Sequence, residues 1–191
     1  MNRYYLEQLS THPDLMNAEV LDVLRELSEV ATLAVVSNGV HKVQTQRLAE
    51  SGVSNFMEDV FISEKLGCEK PGARIFDAAL RALGVENREH VLMVGDSLTS
   101  DIQGGINAGL DTCWYNPRNV ENKTDIAPKF TVGSYEELYR IVMEPEELEK
   151  LYKRAYDESI EANGRPWILA ANSLAASYIC LLYTSPSPRD T

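Results

Sequence analysis

Two aspartates five residues apart, Asp96 and Asp101, stand in the run Gly95-Asp96-Ser97-Leu98-Thr99-Ser100-Asp101, directly after the apolar stretch Val91-Leu92-Met93-Val94. With that stretch as a strand and a helix beginning just beyond it, both carboxylates can converge on one side of the connecting loop. Oxygen ligands so arranged suit Mg2+, which keeps several waters and takes one or two carboxylates together with substrate phosphate. A plainer account makes Asp96 a helix cap and Asp101 a favourable first-turn charge. It explains either acid alone, but less well the pair with Gly95 before it and Gly104-Gly105 behind it. Two further polar clusters follow apolar runs. Ser37-Asn38-Gly39 comes after Thr32-Leu33-Ala34-Val35-Val36, and a hydroxyl beside main-chain N–H groups at such a turn can hold a phosphoryl oxygen. Taken singly this signal is weak, because Ser-Asn and Asn-Gly turns are common. Glu69-Lys70-Pro71-Gly72 places a lysine in a stiff X-Pro turn, a fixed cation able to neutralise carboxylate and phosphate oxygens. A solitary Lys-Pro is more often a solvated loop.

The elements that must hold these clusters are legible in the hydrophobic pattern. Val20, Leu21, Val23, Leu24, Leu27 and Val30 recur at helical spacing after Asn17, a capping residue. The unbroken run from Thr32 to Val36 is of the kind found in strands buried on both faces. The alternation then repeats: a helix near Lys42 to Ser51, a strand Asp59 to Ile62, a helix Ala73 to Leu83, a strand His90 to Val94, a helix Thr99 to Ala108, and a strand Thr112 to Tyr115. Lys129 to Val132 reads as a short extra strand and Ser134 to Val142 as a helix. Strands alternating with helices of this length predict an α/β fold with a doubly wound parallel sheet. In such a sheet ligands bind at the carboxyl ends of the strands, which is where all three clusters fall.

Outside this core the pattern is weaker. Asn2 to Ser10 is expected to be a helix broken by Thr11-His12-Pro13-Asp14. Beyond Glu144-Pro145, an amphipathic helix from Leu148 to Ile160, a strand from Arg165 to Ala170 and a helix from Ser173 to Ile179 form either an extension or the opening of a second domain. Residues 181–191 have no core pattern and resemble a translated library adapter, so they are set aside as a non-native tail.

Bulk properties narrow the function classes. A formal net charge of −11 over 191 residues disfavours non-specific binding to nucleic acid or to anionic membranes. It leaves room for a small anionic substrate, since a local cation or metal can override the global field. The three cysteines, Cys68, Cys113 and Cys180, are too scattered for a disulfide framework or a metal-binding Cys-x-x-Cys pair. No signal peptide opens the chain and no apolar run is long enough to span a bilayer, so the expectation is a cytoplasmic protein. The oligomeric state is left open. His41 is expected to be a surface histidine at a helix start, and Trp114 and Tyr115 to be core aromatics rather than a stacking platform for a base.

In their order and spacing the three clusters resemble the haloacid dehalogenase superfamily over roughly Asn17 to Val142. Ser37 matches its second motif, Lys70 its third, and Asp96 with Asp101 its fourth. The paired acids resemble the phosphatase branch rather than the metal-independent dehalogenases. The run Asp111-Thr112-Cys113-Trp114-Tyr115-Asn116-Pro117 is similar to pyrimidine 5′-nucleotidases that act on non-standard nucleotides. The resemblance implies a Mg2+-dependent phosphomonoester hydrolase acting on a small phosphorylated substrate through an aspartyl-phosphate, with a nucleoside 5′-monophosphate as the candidate substrate. Asp96 and Asp101 would serve the metal, with Asp101 holding metal-bound water or orienting Lys70. Ser37, Asn38, Gly39 and Lys70 would hold the phosphate, with Ser37 and Lys70 stabilising the transferring group.

The resemblance is incomplete. In the family a first motif, Asp-x-Asp, ends a strand at the centre of the sheet and supplies the nucleophile, and a helical cap usually follows it. No Asp-x-Asp follows an apolar run before Ser37: Asp14 lies in a proline-broken turn and Asp22 on a helix face. The expected organisation is therefore a remnant of a cap helix over residues 1–16 and a core over residues 17–143 without its first central strand or most of its cap. An extension or second-domain start would occupy 144–180, and the tail 181–191. A chain so built is expected to lack turnover by itself, and the alternative function is a non-catalytic phosphate or nucleotide-binding module. A less favoured arrangement slips Trp167 to Ala170 into the central position. It leads into Asn172-Ser173 rather than Asp-x-Asp, and so would restore structure without chemistry.

Overall fold

The computed structural model describes residues 18–143 and 167–170. Their elements, in chain order, are α1 (Ala18–Val30), β1 (Thr32–Ser37), α2 (His41–Glu50), a 3-10 turn (Val53–Phe56), β2 (Asp59–Ile62) and α3 (Ser63–Leu66). There follow α4 (Ala73–Ala82), a 3-10 turn (Arg88–His90), β3 (Val91–Gly95), a π-turn (Leu98–Ile102), α5 (Gln103–Asn107), β4 (Asp111–Tyr115), β5 (Phe130–Val132), α6 (Tyr135–Met143) and β6 (Trp167–Ala170).

All six strands join one sheet in the order β2-β1-β6-β3-β4-β5, and every pairing is parallel. In β1 the residues from Leu33 to Ser37 are all buried, as are all five of β3. Consecutive buried positions require cover on both faces, the condition that distinguishes a doubly wound parallel sheet from a one-sided antiparallel one. α1 packs against β1 and α6, and α4 against β1 and α5. The apolar stripe of α4 buries Ile75, Phe76, Ala79 and Leu80, and Leu24 and Leu27 of α1 are wholly buried. The expected helices and strands within residues 18–143 are present with ends shifted by a residue or so, except that the helix expected over Thr99 to Ala108 divides into the π-turn and the short α5.

The centre of the sheet differs from the favoured expectation. The position expected to be vacant is filled by β6, which pairs with β1 over Thr32 to Val35 and with β3 over Val91 to Val94. The physical reason is main-chain satisfaction. A gap between two buried strands leaves rows of N–H and C=O groups without partners, each costing about as much as a lost hydrogen bond. Trp-Ile-Leu-Ala is a short apolar segment able to fill such a gap. Trp167 to Ala170 thus belongs to the core sheet, although the sequence places it in an extension or second domain. No strand preceding β1 occurs among the described residues. The expected helices at Asn2 to Ser10, Leu148 to Ile160 and Ser173 to Ile179, the Asn172-Ser173 pair and the tail lie outside the described residues.

From β1 the chain steps outward to β2, then crosses the centre to β3 and steps outward through β4 to β5. The reversal between β1 and β3 is the topological switch point at which open parallel sheets bind ligands. As described, β6 ends at Ala170, level with Val35 and Val94 and two residues short of the level of Ser37 and Asp96.

Candidate phosphoryl site at the sheet switch point

Lys70 joins the two sides of the switch point. Its ammonium lies 2.8 Å from Asp101 Oδ1 and donates to the Val36 carbonyl at 2.7 Å. The two side chains are only 3% and 4% exposed, so the pair is desolvated. Val36 belongs to β1 and Asp101 follows β3, so the ion pair spans the strand that separates them. Such a pair is costly to break, because a lone buried charge loses both its water and its counter-charge.

The placement of Asp101 follows from local geometry. The main-chain N–H groups of Asp101 and Ile102 both donate to the Ser97 carbonyl, at 2.9 and 3.1 Å, giving the widened turn between Leu98 and Ile102. Such π-turns recur at functional sites because they redirect a side chain. Here the turn folds Asp101 back so that its Oδ2 accepts the Ser97 N–H at 3.1 Å. The approach requires glycine at position 95, because a Cβ there would lie 2.4 Å from the Asp101 Cβ. Asp96 is half-buried directly beyond β3, and its carbonyl accepts the Trp114 indole N–H at 2.9 Å.

On the β1 side, Ser37 is fully buried. The Asn38 carboxamide faces the main chain of Lys70: Oδ1 accepts the Lys70 N–H and Nδ2 donates to the Lys70 carbonyl, both at 2.9 Å. The Lys70-Pro71 peptide is cis. Gly39, at φ 143°, donates its N–H to the Ser63 hydroxyl at 3.0 Å, and the buried Gln44 donates to the Asn38 carbonyl at 3.2 Å. His41 is exposed at the start of α2, where its main-chain N–H donates to Glu64.

The structure thus brings Ser37, Asn38, Gly39, Lys70, Asp96 and Asp101 to the carboxyl edge of the sheet, as the motifs predict. Within that cluster the donors are partly committed. Both Asp101 oxygens are engaged by Lys70 and by Ser97, an arrangement that suits orientation of Lys70 better than direct metal ligation. A hard cation prefers oxygen ligands, and Asp96 supplies one. Magnesium takes one or two carboxylates together with water and substrate oxygens, and with Asp101 turned onto Lys70 and Ser97 the described residues bring one of the paired acids, Asp96, to that role. The described residues therefore fit magnesium only in part.

Sequence reasoning missed three contributors. Trp114, expected to be simple core, is buried and also tethers the main chain of Asp96. Gln44 and Ser63 hold the Ser37-Asn38-Gly39 turn. Gln44 beside Val43 on the inner face of α2 was the one signal that could have found them, since a buried glutamine needs a partner.

The model of the haloacid dehalogenase-like hydrolases matches residues 3–109, more than half of the chain, and the chain belongs to that family. Pyrimidine 5′-nucleotidase PynA of Streptococcus pneumoniae is 46% identical over 106 residues, covering 56% of this chain and 45% of PynA. Pyrimidine 5′-nucleotidase YjjG of Escherichia coli is 36% identical over 152 residues, covering 72% of this chain and 68% of YjjG. Among solved structures, magnesium-bound YfnB of Bacillus subtilis superposes with a TM-score of 0.62 at 41% identity, covering 64% of this chain and 54% of YfnB. The chain thus spans about half the length of PynA and YfnB. No helix among the described residues is long and apolar enough to cross a membrane.

Proposed function

We propose that the protein is a phosphomonoester hydrolase with a nucleoside 5′-monophosphate as substrate class, working through an aspartyl-phosphate, and that the described residues form the phosphate-binding half of its site. The observation that carries this reading is the buried Lys70–Asp101 ion pair bridging the sheet switch point beside Asp96. An ammonium has three donors. Two are directed to Asp101 and Val36, and the third suits an oxygen of a phosphoryl group. Asp101 aims the lysine; the low-dielectric surroundings make an ammonium effective toward the oxygens on which negative charge collects. The Ser37 hydroxyl, which donates to the Asn38 carbonyl at 3.4 Å, and the main-chain N–H of Asn38 would add neutral donors at the end of β1. Magnesium, held at Asp96, would add Lewis-acid polarisation of the phosphoryl oxygens. The nucleotide class rests on the names of PynA and YjjG together with the shared motif run.

The attacking carboxylate is assigned to no described residue. Asp101 is committed to Lys70, and the central strand carries only Trp, Ile, Leu and Ala. That composition favours a second reading for this chain by itself, a module that binds phosphate without turning it over. The two readings separate in one experiment. Phosphate release from nucleoside 5′-monophosphates is measured with and without Mg2+, beside saturable binding of inorganic phosphate. Mg2+-dependent release that vanishes in Asp96→Asn supports the hydrolase, and binding without release supports the module. Absence of both sinks the phosphoryl site itself.

A further inference from the structure

Lys70 is held at two ends by different groups. Asp101 and Val36 fix its ammonium, whereas the Asn38 carboxamide meets its main chain through a donor and an acceptor at 2.9 Å each. This paired contact crosses 32 residues of sequence and reproduces the two-bond pattern of a strand pair with one side chain. Asn38 is itself anchored, because the buried Gln44 donates to its carbonyl at 3.2 Å. That approach depends on Gly39, where an added Cβ would lie 2.7 Å from Gln44 Nε2. A continuous polar path therefore runs from Gln44 through Asn38, Lys70 and Asp101 to Ser97, joining the ends of β1 and β3.

We propose that Asn38 is a positioning residue: its carboxamide sets the main chain of Lys70, and so the direction from which the ammonium meets a bound phosphate. Ligand contact is left to the Asn38 N–H, with the amide side chain turned away onto Lys70. The physical advantage is preorganisation. A lysine carries a large rotamer entropy, and anchoring its root as well as its head leaves less to be ordered when the anion binds. The inference rests on the phosphate-binding reading of this site.

The test uses the whole chain and inorganic phosphate, with affinity measured by calorimetry well below each variant's melting temperature. Wild type is compared with Asn38→Ala and with Lys70→Met/Asp101→Leu, which removes the cation without stranding its partner. The expected result is that the double variant loses phosphate binding and Asn38→Ala binds roughly tenfold more weakly, the scale of losing a pair of neutral hydrogen bonds. The Lys70 amide signal, which phosphate should shift in wild type, should respond less in Asn38→Ala. Unchanged affinity in folded Asn38→Ala, with binding lost in the double variant, overturns the positioning role and leaves the phosphate reading intact. Equal behaviour of wild type and double variant removes the phosphate reading and the proposal with it. Should Asn38→Ala fail to fold, Asn38→Ser takes its place under the same criteria; failure of both makes Asn38 a residue of the fold and refutes the proposal.

Discussion

Replacing Asp101 with asparagine should expose how much of this fold depends on one buried charge pair. The substitution keeps the shape of the side chain and one acceptor, so the Ser97 N–H retains a partner. The Lys70 ammonium, only 3% exposed, then faces the Val36 carbonyl without the counter-charge that Asp101 supplies. Removing one member of a buried pair costs about 3–5 kcal/mol, and the retained acceptor places the expected loss near the lower end, at about 3 kcal/mol. For a domain of this size that corresponds to a melting temperature lower by roughly 6–12 °C. Lys70→Met/Asp101→Leu should recover most of the loss, since a buried pair replaced by apolar groups is often neutral. Asp77→Asn serves as the control. Its partner Arg88 lies at a similar 2.7 Å, but the two side chains are 44% and 36% exposed, and the expected cost is below about 1 kcal/mol. Thermal unfolding followed by circular dichroism reads all four proteins. A loss under about 1 kcal/mol in Asp101→Asn, or a double variant no more stable than the single one, would refute the burial reasoning.

Gly95→Ala should destabilise by about 1–3 kcal/mol or more, because its Cβ would meet the Asp101 Cβ at 2.4 Å; denaturant titration checks this, and a change under about 0.5 kcal/mol would contradict it. Leu169→Pro removes a main-chain donor from the central strand and should cost about 3 kcal/mol, with faster amide exchange in β1 and β3; an unaltered exchange pattern would show that β6 does not hold the centre. Burial lowers the His90 pKa from its ordinary value of 6.5, with Glu89 opposing, and Asn87 Nδ2 lies 3.3 Å from Nε2, a contact that only an unprotonated nitrogen accepts. The folded chain then binds fewer protons than the unfolded one, so this contribution to stability is present above about pH 6.5 and is lost as the pH falls through the lowered value. Melting curves from pH 7.5 to 5.5 should show a decline that His90→Gln diminishes, and identical curves would argue against it.

Much of the site is legible in the sequence. Ser37, Lys70, Asp96 and Asp101 each follow an apolar run or sit in a proline turn, and local pattern places such residues at strand ends without tertiary information. What pattern does not show is how each side chain is used. Asn38 and Asp101 offer the same polar atoms to a ligand as to a neighbour. Their pairing with the Lys70 main chain and ammonium depends on contacts across 32 and 31 residues, which no spacing rule records. Trp114 likewise looks like any core aromatic until β4 lies beside β3 and its N–H reaches the Asp96 carbonyl.

The sequence by itself determined the α/β alternation, the parallel sheet and the edge at which the polar clusters gather, because hydrophobic period and turn chemistry are local properties of the chain. Tertiary structure alone decided the occupant of the sheet's centre and the division of labour within the site. The central position went to Trp167–Ala170, remote in sequence, because the main-chain groups of β1 and β3 must be paired by whatever short apolar strand can reach them. Asp101 went to Lys70 because a buried ammonium cannot be left without a counter-charge.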